Sequence, residues 1–144
     1  MRFPMLIVTK TVSFDAAHLL TGHAGQCRNL HGHTYQLTVE LGNVPPIPGQ
    51  PEDMVMDFKE VKSVLQEEIV SCCDHAFLYN TTSAVESDIA SVLQKHGLRV
   101  YPLPHRTTSE LLAKHFFAKI AARGLPVTAV SLRETPESCA TYRP

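Results

Sequence analysis

No apolar run in this chain approaches the ~20 residues that a membrane-spanning helix needs. The first ten residues, MRFPMLIVTK, are apolar too briefly for a secretory signal and lack its small-residue cleavage site. They read instead as the start of a strand, and a cytoplasmic, reducing setting is the expectation. An excess of either charge is missing too: 13 Lys and Arg stand against 14 Asp and Glu, for a net charge of −1, and the basic residues are scattered. That argues against nucleic acid or an anionic membrane as a partner. Cysteine is sparse, with four in the chain, and a reducing compartment keeps most of these as thiols. There is no internal repeat and no low-complexity segment. The length of 144 residues suits one domain with a real core and leaves no room for a second full one. Histidine, by contrast, is plentiful at eight, and its placement says more than its number.

The chain alternates from Leu6. Leu6, Val8, Val12, Phe14 and Ala16 hold one phase, and Ile7, Thr9, Thr11, Ser13 and Asp15 the other. This period of two predicts a strand with one buried face, and His18 falls on the apolar phase. A second strand starts near His31, with Tyr35, Leu37, Val39 and Leu41 alternating with polar residues. The Pro/Gly-rich stretch GNVPPIPGQPED is a loop. Asp57 and Glu60 make a capping-box-like start, and Phe58, Val61, Leu65, Ile69 and Cys72 follow at helical spacing, predicting a helix over 58–72. Ser83 and Glu86 open a second helix that Gly97 closes, and Thr107 and Glu110 open a third. Val130 and Leu132 mark a third strand with Glu134 on its apolar phase, and a short fourth follows around 139–143. The expected class is α+β: an antiparallel sheet covered by helices on one face.

Chemistry concentrates in CRNLHGHTY, Cys27 to Tyr35. Residues i and i+2 of a strand point the same way, so His31 and His33 are neighbours on the buried face. If the first two strands pair as a hairpin, His18 joins them. Three neutral imidazoles with an open position suit a catalytic zinc ion, and an ion would satisfy rings that are costly to bury alone. The bland alternative is three ordinary histidines bonded to backbone. Cys27 competes for the metal, since C-x-x-x-H-x-H also supplies a Cys/His/His set. It lies outside the clear alternation, however, and a thiolate beside zinc and a histidine can instead act as a base. Spacing alone leaves both open.

Two further groups stand out. In CCDHAFLYN, Asp74 can orient His75 and tune its basicity, or the pair is simply a polar helix end. Cys72 and Cys73 read as apolar filling. Glu134, a carboxylate on an apolar phase, needs a partner. It is either turned to solvent at a strand end or anchors a ligand with a planar N–H edge.

Taken together, FDAAH (Phe14 to His18), CRNLHGHTY, MDF (Met56 to Phe58), DHAFLYN (Asp74 to Asn80), TTSELLA (Thr107 to Ala113), RET (Arg133 to Thr135) and Tyr142 resemble the 6-pyruvoyltetrahydropterin synthase superfamily. The gap of three residues between Cys27 and His31 resembles its 6-carboxytetrahydropterin synthase branch, from queuosine biosynthesis. The resemblance covers nearly the whole chain. It implies a tunnelling fold (T-fold) with a four-stranded antiparallel sheet per subunit and helices on one side. It also implies a homo-hexamer, a dimer of trimers, with active sites at subunit interfaces. The residues carried over are His18, His31 and His33 for zinc, Cys27, Asp74 and His75 for catalysis, and Glu134 for the pterin, with Thr107, Thr108 and Glu110 lining its pocket. Two departures are visible. Cys73 stands where leucine is frequent, and the stretch Thr81–Arg106 is longer than in compact members.

The implied reaction is a zinc-dependent lyase step. It takes 7,8-dihydroneopterin triphosphate to 6-carboxy-5,6,7,8-tetrahydropterin, releasing acetaldehyde and triphosphate. Two rivals remain: formation of 6-pyruvoyltetrahydropterin from the same substrate, and a non-catalytic zinc- or pterin-binding module.

Overall fold

The computed structural model describes residues 6–43, 49 and 53–144. Strands β1 (Leu6–His18) and β2 (His31–Asn43) form a long antiparallel hairpin, as the alternation predicts. Val12, Phe14 and Ala16 are buried with Tyr35, Leu37, Val39 and Leu41, whereas Thr9, Thr11, Ser13 and Asp15 are exposed. Most of the loop GNVPPIPGQPED lies outside the described residues.

Among the described residues the sheet has six strands, not the expected four, in the order β4-β3-β1-β2-β5-β6. β5 (Val127–Thr135) and β6 (Ser138–Tyr142) extend the hairpin on one side, antiparallel. On the other side β3 (Ala76–Asn80) runs parallel to β1, and β4 (Val100–Leu103) runs parallel to β3. Alternation overlooked this parallel pair for a physical reason. A strand buried on both faces has no polar phase to show, and Ala76, Phe77 and Leu78 are all buried.

The predicted helix over 58–72 is present but not uniform. α1 (Phe58–Leu65), capped by Asp57 accepting from Lys59 N at 2.7 Å, passes through a π-helical turn (Gln66–Val70) into the short α2 (Ser71–Cys73). α3 (Ala84–Lys95) is capped by Ser83, and α4 (Ser109–Ala122) by Thr108, one residue later than expected. Helices α1, α2 and α4 cover one face of the sheet. Val61, Leu65, Cys73, Leu112, Phe116 and Ile120 pack there on Phe14, Tyr35, Leu37, Leu78 and Leu132. Each fully buried Leu or Phe in that layer is worth about 1.5–3 kcal/mol.

The helices do not all lie on one face, which corrects the sequence reading. Ala90, Ile89 and Leu93 of α3 pack with Ala17, Leu19, Phe77, Tyr79 and Val100. Ala17 and Phe77 alternate with the core residues Ala16, Ala76 and Leu78, so α3 covers the opposite face at the β3–β4 edge. The α3–β4 segment begins and ends at one place. Asn80 and Leu103 are rung partners, and Thr81 N donates to Leu103 O at 2.8 Å.

Candidate metal centre and active site

His18 ends β1, His31 opens β2, and the ladder pairs them directly. His33 follows two residues later, opposite Ala16 and on the same face. Gly32 lets the strands close here, because a Cβ at that position would come 3.1 Å from the Ala16 carbonyl oxygen. Among the described residues, one group of three or more metal-ligating side chains converges: His18, His31 and His33, with ligand atoms all within 4.8 Å of one another.

The backbone fixes how these rings are used. His18 Nδ1 lies 3.0 Å from the Thr107 carbonyl oxygen and 3.1 Å from its hydroxyl, and His31 Nδ1 lies 2.7 Å from the Asn29 carbonyl oxygen. A carbonyl only accepts, so each Nδ1 carries a proton, and in the neutral ring Nε2 is the atom that presents a lone pair. The two Nε2 atoms are 3.1 Å apart. Two lone pairs at that distance repel unless a cation lies between them. His33 Nε2 is buried without a hydrogen-bond partner among the described residues, since Glu134 Oε2 is 3.7 Å away. Three neutral imidazole donors and no thiolate fit zinc with an open coordination position. Burial lowers the His18 pKa to about 4; the Glu134 carboxylate opposes this and the neighbouring histidines add to it. Burial lowers that of His33 as well. His18 and His33 are therefore held deprotonated, the form in which imidazole binds a metal.

Glu134 lies on the inward phase of β5 with its carboxylate 4.0 Å from His18 Nε2. Tyr35, stacked on Phe14 and edge-on to His33, buries a hydroxyl with no partner, and burial together with the Glu134 charge drives its ionisation well above the usual range. Glu134 and His33 share a cavity of about 340 Å³ with Gly32, Thr34, Gln36 and Arg133.

Cys27 sits in a 3-10 turn (Gln26–Arg28) as a half-buried free thiol. It lies outside the converging group, so the metal donors gathered here are three histidines. Its carbonyl accepts from Leu20 N at 2.8 Å, closing the loop between β1 and β2.

Asp74 and His75 pair as expected, with Nδ1 to Oδ2 at 3.0 Å, but on the other face of the sheet. His75 lines a cavity of about 660 Å³ with Asp15, Ala17, Thr34, Phe77 and Arg99, and Gly32 and His33 of β2 line it too. His75 adopts a left-handed backbone, φ 58°, a conformation that costs a non-glycine residue about 1–3 kcal/mol. Its surroundings impose it. His75 N donates to Asp15 O at 2.6 Å, Asp15 N donates to Asp74 Oδ1 at 2.9 Å, and Arg99 Nη1 donates to Ser71 O and Asp74 O at 2.9 and 3.0 Å. The bond from the Asp15 backbone is the main cause of a lowered Asp74 pKa, and His75 and Arg99 add to it.

The residues expected to line a pterin pocket make the following contacts within the chain. Thr107 is fully buried and holds His18. Thr108 caps α4 by accepting from Leu111 N, and Glu110 lies exposed in its first turn. None of the three lines either cavity. Sequence reasoning also passed over Asp15, Arg99 and Gly32. Only Gly32, caught between two histidines on a strand, carried a local signal.

Residues 7–144 match the family model described as 6-pyruvoyl tetrahydropterin synthase. A protein named 6-carboxy-5,6,7,8-tetrahydropterin synthase from Haemophilus influenzae is 41% identical over 140 residues, covering 96% of this chain and 99% of that one. A protein of the same name from Aquifex aeolicus is 32% identical, over 94% and 96% of the two chains. The 6-pyruvoyl tetrahydropterin synthase structure from Caenorhabditis elegans superposes with a TM-score of 0.67 at 24% identity, covering 100% of this chain and 99% of that one. The Plasmodium vivax enzyme of that name gives 0.68 at 18%, over 96% and 98%. The fold is therefore the T-fold of these structures, here with six strands in the sheet. On the family model and the two curated relatives together, this chain belongs to the 6-pyruvoyl tetrahydropterin synthase family of enzymes.

Proposed function

We propose that this enzyme is a zinc-dependent lyase of the cytoplasm. It converts 7,8-dihydroneopterin triphosphate to 6-carboxy-5,6,7,8-tetrahydropterin, with release of acetaldehyde and triphosphate, for queuosine biosynthesis. The observation that carries the reading is the convergence of His18 and His31, whose Nε2 atoms are 3.1 Å apart, with a buried His33 Nε2 that has no hydrogen-bond partner among the described residues. The names of the relatives at 41% and 32% identity support the product.

His18, His31 and His33 would hold the ion, which when bound supplies Lewis-acid polarisation of the substrate's side chain. Glu134, which lines the cavity that includes His33, accepts hydrogen bonds from the pterin's amino and ring N–H groups and fixes its orientation. The Cys27 thiolate takes a proton from the side chain, and His75, oriented by Asp74, handles the second transfer. The resemblance places this activity in a homo-oligomer, a hexamer built as a dimer of trimers, whose sites form between subunits. Neither nucleic acid nor membrane takes part. No helix among the described residues is long and apolar enough to cross a membrane.

The test is product analysis of the zinc-loaded enzyme by mass spectrometry with an acetaldehyde assay. The carboxy product with equimolar acetaldehyde is expected. A pyruvoyl product without acetaldehyde moves the enzyme to the other branch of the family, and bound but unchanged substrate reduces it to a binding module.

A further inference from the structure

We propose that the α3–β4 segment, Thr81 to Arg106, is a splint that positions both proton-transfer elements of the site: Glu86 the loop carrying Cys27, and Arg99 the Asp74–His75 turn. This inference rests on the lyase reading for the roles of Cys27 and His75. The splinting itself rests on contacts.

Glu86 is a carboxylate only 1% exposed, in the first turn of α3. A buried carboxylate persists where hydrogen bonds satisfy it, and the two given to Glu86 tie three elements together. Its Oε1 accepts from Asn80 N at 3.1 Å, at the end of β3, and its Oε2 accepts from the Thr21 hydroxyl at 2.5 Å. Ser83 Oγ, the cap of α3, lies 2.8 Å from the same Thr21 hydroxyl. Thr21 belongs to the loop between the metal-bearing strands. Its neighbour Leu20 donates to the Cys27 carbonyl at 2.8 Å. The loop is otherwise exposed, with Thr21, Gly22, His23, Ala24, Gly25 and Gln26 all open to solvent. Its anchorage to α3 is thus one bond from the backbone that carries the thiol.

At the other end of the segment, Arg99 spends Nη1 on the carbonyls of Ser71 and Asp74, and its own carbonyl accepts from Phe77 N at 3.1 Å. It brackets Asp74 and His75 from both sides in sequence and opposes relaxation of the left-handed His75. Arg99 is exposed, so folding does not need it as packing. A strained residue persists only where its surroundings over-determine it.

Thr21→Val and Arg99→Met remove the two tethers at exposed positions, and Thr21→Ser and Arg99→Lys keep a donor at each. In the zinc-loaded enzyme, each of the first pair is expected to lower kcat about 10- to 100-fold, as misplacement of a reacting group does. KM should stay within about twofold and zinc content at the parent level, with most of kcat restored in the second pair. Alkylation of Cys27, followed on its own peptide by mass spectrometry, should rise about threefold or more in Thr21→Val and stay unchanged in Arg99→Met. Parental kcat in either Val or Met variant overturns the splint, as does a loss of kcat matched by a loss of zinc. A parent enzyme that forms no pterin product while Thr21→Val still speeds Cys27 alkylation refutes the lyase reading and supports the anchoring of the loop.

Discussion

Thr107 holds His18 by two atoms at once, its carbonyl oxygen 3.0 Å and its hydroxyl 3.1 Å from Nδ1. The two residues are 89 apart in the chain. The start of α4 is thereby locked to the end of β1, and the ring is committed to offering Nε2. Removing such a support weakens a metal site about 10- to 100-fold. Thr107→Val keeps the shape and the carbonyl, so zinc affinity should fall near the lower bound, about tenfold. A competition titration against a zinc chelator measures it, and an unchanged affinity would show the carbonyl alone to be sufficient.

Cys27 lies outside the histidine group. Cys27→Ala should therefore retain one zinc per chain by metal analysis while turnover drops about 100-fold or more, the scale on which a positioned acid or base contributes. Loss of zinc from that variant would make the thiol a ligand and sink its assignment as a free base.

Gly32 faces the Ala16 carbonyl, where an added Cβ would sit at 3.1 Å. Gly32→Ala must push β2 away from β1 at the rung between His31 and His33. A destabilisation on the order of 1 kcal/mol, together with weaker zinc binding, is expected from urea unfolding and metal titration. Normal stability with normal zinc affinity would mean that the hairpin yields at no cost.

His115 gives the fold an acid sensitivity away from the site. It meets the Tyr101 hydroxyl at 2.7 Å, and burial first, then the Lys119 charge, lowers its pKa to about 4 from 6.5. The unfolded chain takes up a proton near pH 6.5 that the folded chain declines until about 4. Its contribution to stability is therefore full above pH 6.5 and is lost as pH falls toward 4. The urea midpoint of the parent should fall over this window more steeply than that of His115→Gln; parallel curves would refute the coupling.

What was legible in the sequence was whatever has a period. The alternation through Phe14 and Tyr35 gave the hairpin and its inward face, and with them the meeting of His18, His31 and His33. Glu134 was legible for the same reason. The contacts that connect distant positions by single atoms were not. Thr107 on His18, Arg99 on the Asp74 carbonyl and Glu86 on Thr21 leave no local pattern, because their partners are fixed only by the tertiary fold. The parallel β3–β4 pair was hidden because both of its faces are covered, and the place of α3 was hidden because a helix pattern does not say which side of a sheet receives it. The left-handed His75 ran against expectation, since glycine is the residue that takes that backbone freely.

The single rung at which Asn80 meets Leu103, sealed by Thr81 N on the Leu103 carbonyl, has a consequence for descent. A segment whose two ends touch can be gained or lost without rethreading the strands around it, because the chain resumes from almost where it left. β2 and the β5–β6 extension lie on the far side of β1 from that neck. The loop-holding helix at this edge can therefore change without rethreading the strands that carry the histidines.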